Sequence, residues 1–184
     1  LASSPMVGQQ WVWRTRAQTE RVLGTVAHAW LERIGRDGVD AWSDARLNAS
    51  REAFRRQLGR AGVVPDVLDE AVEILHETLR STLASERGRW LLGVAKAYRE
   101  WALLDLSGRV SVIDLAISHD QHWLVVDYKT SVPEAGETVD VFAQRMRQRY
   151  QEQLDRYCAH VSALDGRPAR AALYFPRADV WIEC

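Results

Sequence analysis

Cysteine is scarce in this chain: Cys158 and Cys184 are the only two in 184 residues. Two thiols can supply neither a four-thiolate metal cluster nor a disulfide framework standing in for a core. A reducing, cytoplasmic setting is the expectation. Long hydrophobic runs are missing as well. No stretch approaches the ~18 apolar residues that a membrane span needs, and nothing at the N-terminus resembles a signal peptide. Charge of one sign is also lacking, since 24 Lys and Arg face 25 Asp and Glu. Attraction of the whole chain to a polyanion is thereby excluded, so nucleic-acid binding must rest on local basic patches or a metal ion. The phosphate-loop pattern Gly-x-x-x-x-Gly-Lys-Ser/Thr does not occur, which puts any ATP-driven motor outside these residues.

What is present fits one domain with a sizeable core, by the usual ~100–200 residues per domain. Eight tryptophans stand out, and several are expected in the core or against other parts of a parent protein. The chain opens without an initiator Met and stops at Cys184, directly after an expected strand. Leu1 to Gln10, with Ser3-Ser4-Pro5 and Gly8, has the composition of a linker. An excised domain is expected: a linker-like segment over 1–16, then a folded part over 17–184. Within it, 17–97 reads as mostly helical and 98–184 as sheet plus a long helix.

Apolar residues at 23, 26, 27, 30, 31 and 34 predict a helix from Thr19 to about Arg36. Ala45 to Leu58 predicts a second. Pro65 suits the first turn of a third, whose stripe is Leu68, Val72, Leu75, Leu79 and Leu83. Trp90 to Ala97 reads as a short continuation. The period then changes to two. Tyr98 to Leu106, Arg109 to Ser118 and Trp123 to Thr130 predict an antiparallel meander. After a loop over Val132 to Glu137, a long helix is expected from Val139 to Leu164. Its buried face would hold Phe142, Met146, Tyr150, Leu154, Tyr157, Val161 and Leu164. Strands at Ala169 to Phe175 and Asp179 to Glu183 complete an α/β sheet flanked by helices.

The meander carries the chemistry. Asp127 opens the triplet Asp127-Tyr128-Lys129 at the end of an apolar strand, so Asp127 and Lys129 share a face. If the turn over Ser118 to His122 centres on Asp120-Gln121, Asp114 stands opposite Asp127 across the ladder. Facing carboxylates repel and are costly to bury unpaired. A divalent cation between them is the natural compensation. His28 lies beside the apolar stripe of the first helix, Glu100 near the start of the first strand. Gln153 and Tyr157 lie four apart on the long helix and so on one face.

Taken in order, Gly24 to His28, Glu100, Gly108 to Asp114, Val125 to Thr130, Gln153 with Tyr157, and Ala172 to Pro176 resemble the PD-(D/E)XK nuclease superfamily. Specifically, they are similar to the RecB/AddA type, the C-terminal nuclease domain of UvrD-like helicase–nucleases such as the exonuclease V beta subunit. The resemblance implies a restriction-endonuclease-like mixed sheet flanked by helices, with an N-terminal helical region. It implies metal ligation by His28, Asp114, Asp127 and the Tyr128 carbonyl, with Mg²⁺ as the ion and Mn²⁺ able to substitute. Lys129 would position or deprotonate the attacking water and stabilise the transition state. Gln153, Tyr157 and Arg149 would meet the DNA strand. Glu100 would either reach a second metal or hold Lys129. The lack of four cysteines excludes the relatives with an iron–sulfur cluster. The implied partners are DNA in single-stranded form, helicase domains of the same parent chain and a second helicase–nuclease subunit, in DNA repair and recombination.

Other readings exist for each feature. A helical His beside apolar residues can be a core residue, and Tyr157 can simply pack. Arg145, Arg147, Arg149 and Arg156 form either a solvated face with Glu152 and Asp155 or a phosphate track. His119 and His122 read as solvated turn residues. At the level of function, the alternatives are a nuclease-fold module that docks a helicase, partner subunit or recombinase, and a stand-alone nuclease of the restriction or CRISPR-associated kind.

Overall fold

The computed structural model describes the backbone over 6–104 and 108–184, with side chains from residue 16 onward. Helix α1 spans Met6–Asp37. It begins well before Thr19, because Gln9, Gln10, Arg14, Ala17 and Gln18 are good helix formers whatever the composition around them. All six expected stripe positions, Leu23, Val26, Ala27, Trp30, Leu31 and Ile34, are buried. The expected second helix is two: α2 (Asp44–Ala49) and α3 (Arg51–Arg60). Between them the Ser50 hydroxyl donates back to the Arg46 carbonyl at 2.9 Å, a local bond that competes with the helical ladder. Helix α4 (Pro65–Ala84) starts on Pro65 as expected and buries Val72, Leu75 and Leu79. Trp30 sets its ring edge-on to Phe54 at 4.7 Å and donates its indole N–H to Gln57 Oε1, tying α1 to α3.

The short helix is displaced from its expected place. Helix α5 spans Glu86–Gly93, started by Ser85, whose hydroxyl accepts the Gly88 N–H at 3.3 Å. Val94 is already extended, and Ala97 opens strand β1 (Ala97–Leu104). The expected end at Leu106 lies outside the described residues. Strands β2 (Val110–Ser118) and β3 (Trp123–Tyr128) complete the antiparallel meander. Helix α6 (Val139–Asp165) then crosses over to β4 (Ala169–Phe175), parallel to β3, and β5 (Val180–Glu183) closes antiparallel. Thr138 caps α6 at its start, and left-handed Gly166 ends it. Leu164, expected on the buried face, is 52% exposed because it falls in the last turn before that stop.

The mixed five-stranded sheet, in order β1-β2-β3-β4-β5, is the middle of three layers. Leu115, Ile117, Val126 and Tyr128 face the helical layer built by α1, α3 and α4. Val125, Ala171 and Leu173 face α6. Among the described residues, no helix is long and apolar enough to cross a membrane.

Candidate metal centre and active site

The strand registers bring three carboxylates into one row. Arg99 pairs with Leu115 and Trp101 with Ile113, which brackets Glu100 opposite Asp114. Leu115 pairs with Val126, so the next step sets Asp114 opposite Asp127. The turn centres on Asp120 and Gln121, closed by the His119 N–H donating to the His122 carbonyl at 3.0 Å. At the carboxylate row the ladder gives way to side chains: Asp114 Oδ2 accepts the Tyr128 N–H at 2.8 Å. Glu100 departs from the strand with φ 46°, a left-handed conformation that costs about 1–3 kcal/mol for a non-glycine residue.

Each outer layer reaches this row from its own side. From α1, His28 points Nδ1 at Asp114 Oδ1 (3.2 Å) and Glu100 Oε1 (3.8 Å), while Nε2 lies 3.1 Å from the Tyr128 carbonyl. From α6, Gln153 Nε2 donates to the Tyr157 hydroxyl at 2.7 Å and to Asp127 Oδ1 at 3.3 Å. Lys129 Nζ sits 2.5 Å from Asp127 Oδ2 and 4.3 Å from the centre of the Tyr150 ring. Arg149 flanks that ring from outside at 5.5 Å.

The donor atoms of His28, Glu100 and Asp114 lie within 4.8 Å of one another. Glu100 lies among these atoms, while Lys129 pairs with Asp127. Two neighbours had a signal in the sequence that went unused. Glu32 lines the same cleft, one helical turn after His28. Tyr150, read only as packing, lies beneath the Lys129 ammonium. The arginines of α6 do not form one track: Arg145 pairs with Glu137 at 2.6 Å, and Arg147 donates to the Glu183 carbonyl at 3.0 Å. His119 and His122 stack on each other at the far end of the hairpin.

Burial and the Asp127 carboxylate push Asp114 well above the usual carboxylate range. Burial, with Glu32 and Asp127 adding to it, raises Glu100 too. Burial lowers His28, favouring the neutral imidazole that a metal requires. For Lys129, burial opposes the charge, but Asp127 and Asp114 outweigh it and the ammonium is held more firmly than usual. Three carboxylates thus crowd around one firm cation and one neutral imidazole. This excess of buried negative charge, on oxygen donors with a single imidazole, fits a hard divalent cation.

The family model of the PD-(D/E)XK nuclease superfamily matches residues 8–180, nearly the whole chain. The chain belongs to this superfamily. A search of curated proteins finds no match. Membership makes nuclease chemistry with a divalent metal ion the general expectation, and in this superfamily member the acidic row, His28 and Lys129 lie together.

Proposed function

We propose that this chain is a metal-dependent deoxyribonuclease acting on single-stranded DNA. We propose further that it is the nuclease domain of an ATP-dependent helicase–nuclease of the RecB/AddA type, working in the cytoplasm in double-strand break repair. The observation that carries the reading is the joint placement of His28, Glu100 and Asp114 beside the Asp127–Lys129 pair. The helicase context rests on the ordered motifs alone.

His28, Asp114, Asp127 and the Tyr128 carbonyl would hold Mg²⁺ or Mn²⁺, with Glu100 at the edge of the set. Such an ion, when bound, polarises the phosphoryl group and lowers the pKa of its water. The chain's own groups do the rest. Lys129, kept protonated by Asp127, acts as a fixed cation for charge developing on the phosphorus oxygens. Gln153 steadies Asp127 and is itself held by Tyr157, so the carboxylate need not reorganise during reaction. The water attacks phosphorus in line with the departing oxygen: a new P–O bond forms as the old one breaks. The water's proton is lost to solvent and the departing oxygen takes one up, leaving a phosphate on one product and a hydroxyl on the other.

Calorimetric titration with Mn²⁺ checks the metal assignment. The chain should bind the ion, and His28→Ala and Asp114→Asn should each lose most of that affinity. Failure of the folded wild type to bind Mn²⁺ would leave only a docking module of nuclease fold.

A further inference from the structure

The Tyr98 and Trp101 rings stack at 4.4 Å with 19° between their planes, and Trp123 lies 5.8 Å and 5.9 Å from them. Residues three apart on a strand ordinarily face opposite ways. Left-handed Glu100 lies between these two and reverses the alternation. One strained residue thus turns its own carboxylate towards His28 and gathers both rings on the α6 side of the sheet.

β1 is an edge strand, and Tyr98 remains 47% exposed. Trp101 packs against the cluster containing Tyr157. Tyr157 in turn meets Gln153, and Gln153 meets Asp127. The aromatic surface and the catalytic carboxylate therefore share one continuous face. Arg156 adjoins it, with its guanidinium 6.0 Å from the Tyr157 ring. Its Nε is buried with no hydrogen-bond acceptor among the described residues. Cations also border the rings: Arg167 lies over Trp123 at 4.6 Å. The exposed Tyr98 ring on the half-buried Trp101, beside a guanidinium whose Nε has no acceptor among the described residues, suits an unpaired base and a phosphate, whereas the apolar helix of a partner protein would leave that Nε unsatisfied.

We infer that Tyr98 and Trp101 form a stacking surface for an unpaired base next to the cleaved linkage, with Arg156 receiving a neighbouring phosphate. The inference rests on the nuclease reading above and names what selects the strand. Bases inside a duplex are already stacked on both faces and cannot use the ring, so this surface admits single strands.

The test is fluorescence anisotropy in EDTA, where metal-dependent cleavage cannot proceed. Labelled oligothymidine is compared with an abasic strand of equal length, for wild type, Tyr98→Ala, Tyr98→Phe and Arg156→Gln. Tyr98→Ala should weaken oligothymidine binding by about tenfold, the worth of one base–aromatic stack, and leave the abasic strand unaffected. Tyr98→Phe should bind as wild type does. Arg156→Gln should weaken both strands alike. Equal binding of oligothymidine by wild type and Tyr98→Ala, or equal loss on both strands, would overturn the inference and mark the aromatic edge as packing or a protein contact. Cleavage of oligothymidine by wild type with Mn²⁺ is measured in parallel. Base-dependent binding without cleavage would remove the catalytic reading and leave the stacking surface standing.

Discussion

Asp114 meets three demands with two oxygens: one accepts the Tyr128 N–H, and the other faces His28 with the Asp127 charge nearby. Without a cation this arrangement is unfavourable, and the sign of the pH dependence follows. A carboxyl group whose folded pKa is raised binds its proton more tightly in the folded state, so stability falls as pH rises from the unfolded value of about 4. In EDTA, Asp114→Asn should therefore melt higher than wild type at pH 7–8. The gain is about 2–4 °C for each kcal/mol of relieved repulsion, and it should shrink as pH approaches 4. The same variant should not cleave DNA. Melting curves across pH check the first half, and a lower melting point at pH 8 would show that the carboxylate is structural. At Lys129 the argument concerns charge alone. Lys129→Ala should lower the cleavage rate by about 10²–10³-fold, as loss of one transition-state electrostatic contact does elsewhere, with an unchanged circular dichroism spectrum.

Among the elements, α1 and the α4–α5 junction show how differently glycines can serve. Gly24 lies one turn before His28, and a Cβ added there would meet nothing within 4 Å among the described residues. Gly24→Ala should therefore stabilise by up to about 1 kcal/mol through helix propensity. A Cβ on Gly88 would fall 2.1 Å from the Thr82 carbonyl oxygen. Gly88→Ala should cost more than 2 kcal/mol, roughly, since backbone must move. Chemical denaturation of both variants checks the pair. What the sequence disclosed about these elements depended on range. The stripe of α1, the proline start of α4 and the turn at Asp120-Gln121 are local patterns and were legible, and so was the Asp114–Asp127 register that follows from the turn. Ser50 was not, because the break between α2 and α3 turns on one side-chain bond to Arg46. The Ser85 cap of α5 had a signature that the Trp90 to Ala97 reading passed over. The reversal at Glu100 left no trace in the pattern at all. Strain of this kind is held by the surrounding fold, here by packing of Trp101 and Tyr98 on one side and the His28 contact on the other.

For the molecule as a whole, the site is where the three layers meet: α1 brings His28, the sheet brings the acids, and α6 brings Gln153. A cation bridging them would bind only the folded state and should raise its stability. At an ion concentration 100 times the Kd the gain is about 2.7 kcal/mol, or roughly 5–10 °C in a thermal melt with Mn²⁺ against EDTA. No such shift is expected for Asp114→Ala. The assembly of the site from three layers also explains why no single motif identified it in the sequence. The aspartates were readable from one hairpin, whereas the pairing of His28 with Glu100 and of Lys129 with Tyr150 depends on packing between elements far apart in the chain.

The most direct measurement is cleavage of labelled single-stranded DNA by this chain with Mg²⁺, with Mn²⁺ and with EDTA, run beside Lys129→Ala. A metal-dependent active site at Asp114, Asp127 and Lys129 predicts cutting with either cation, none in EDTA, and near-complete loss in the variant. Cutting that persists in EDTA, or that Lys129→Ala retains in full, would contradict it.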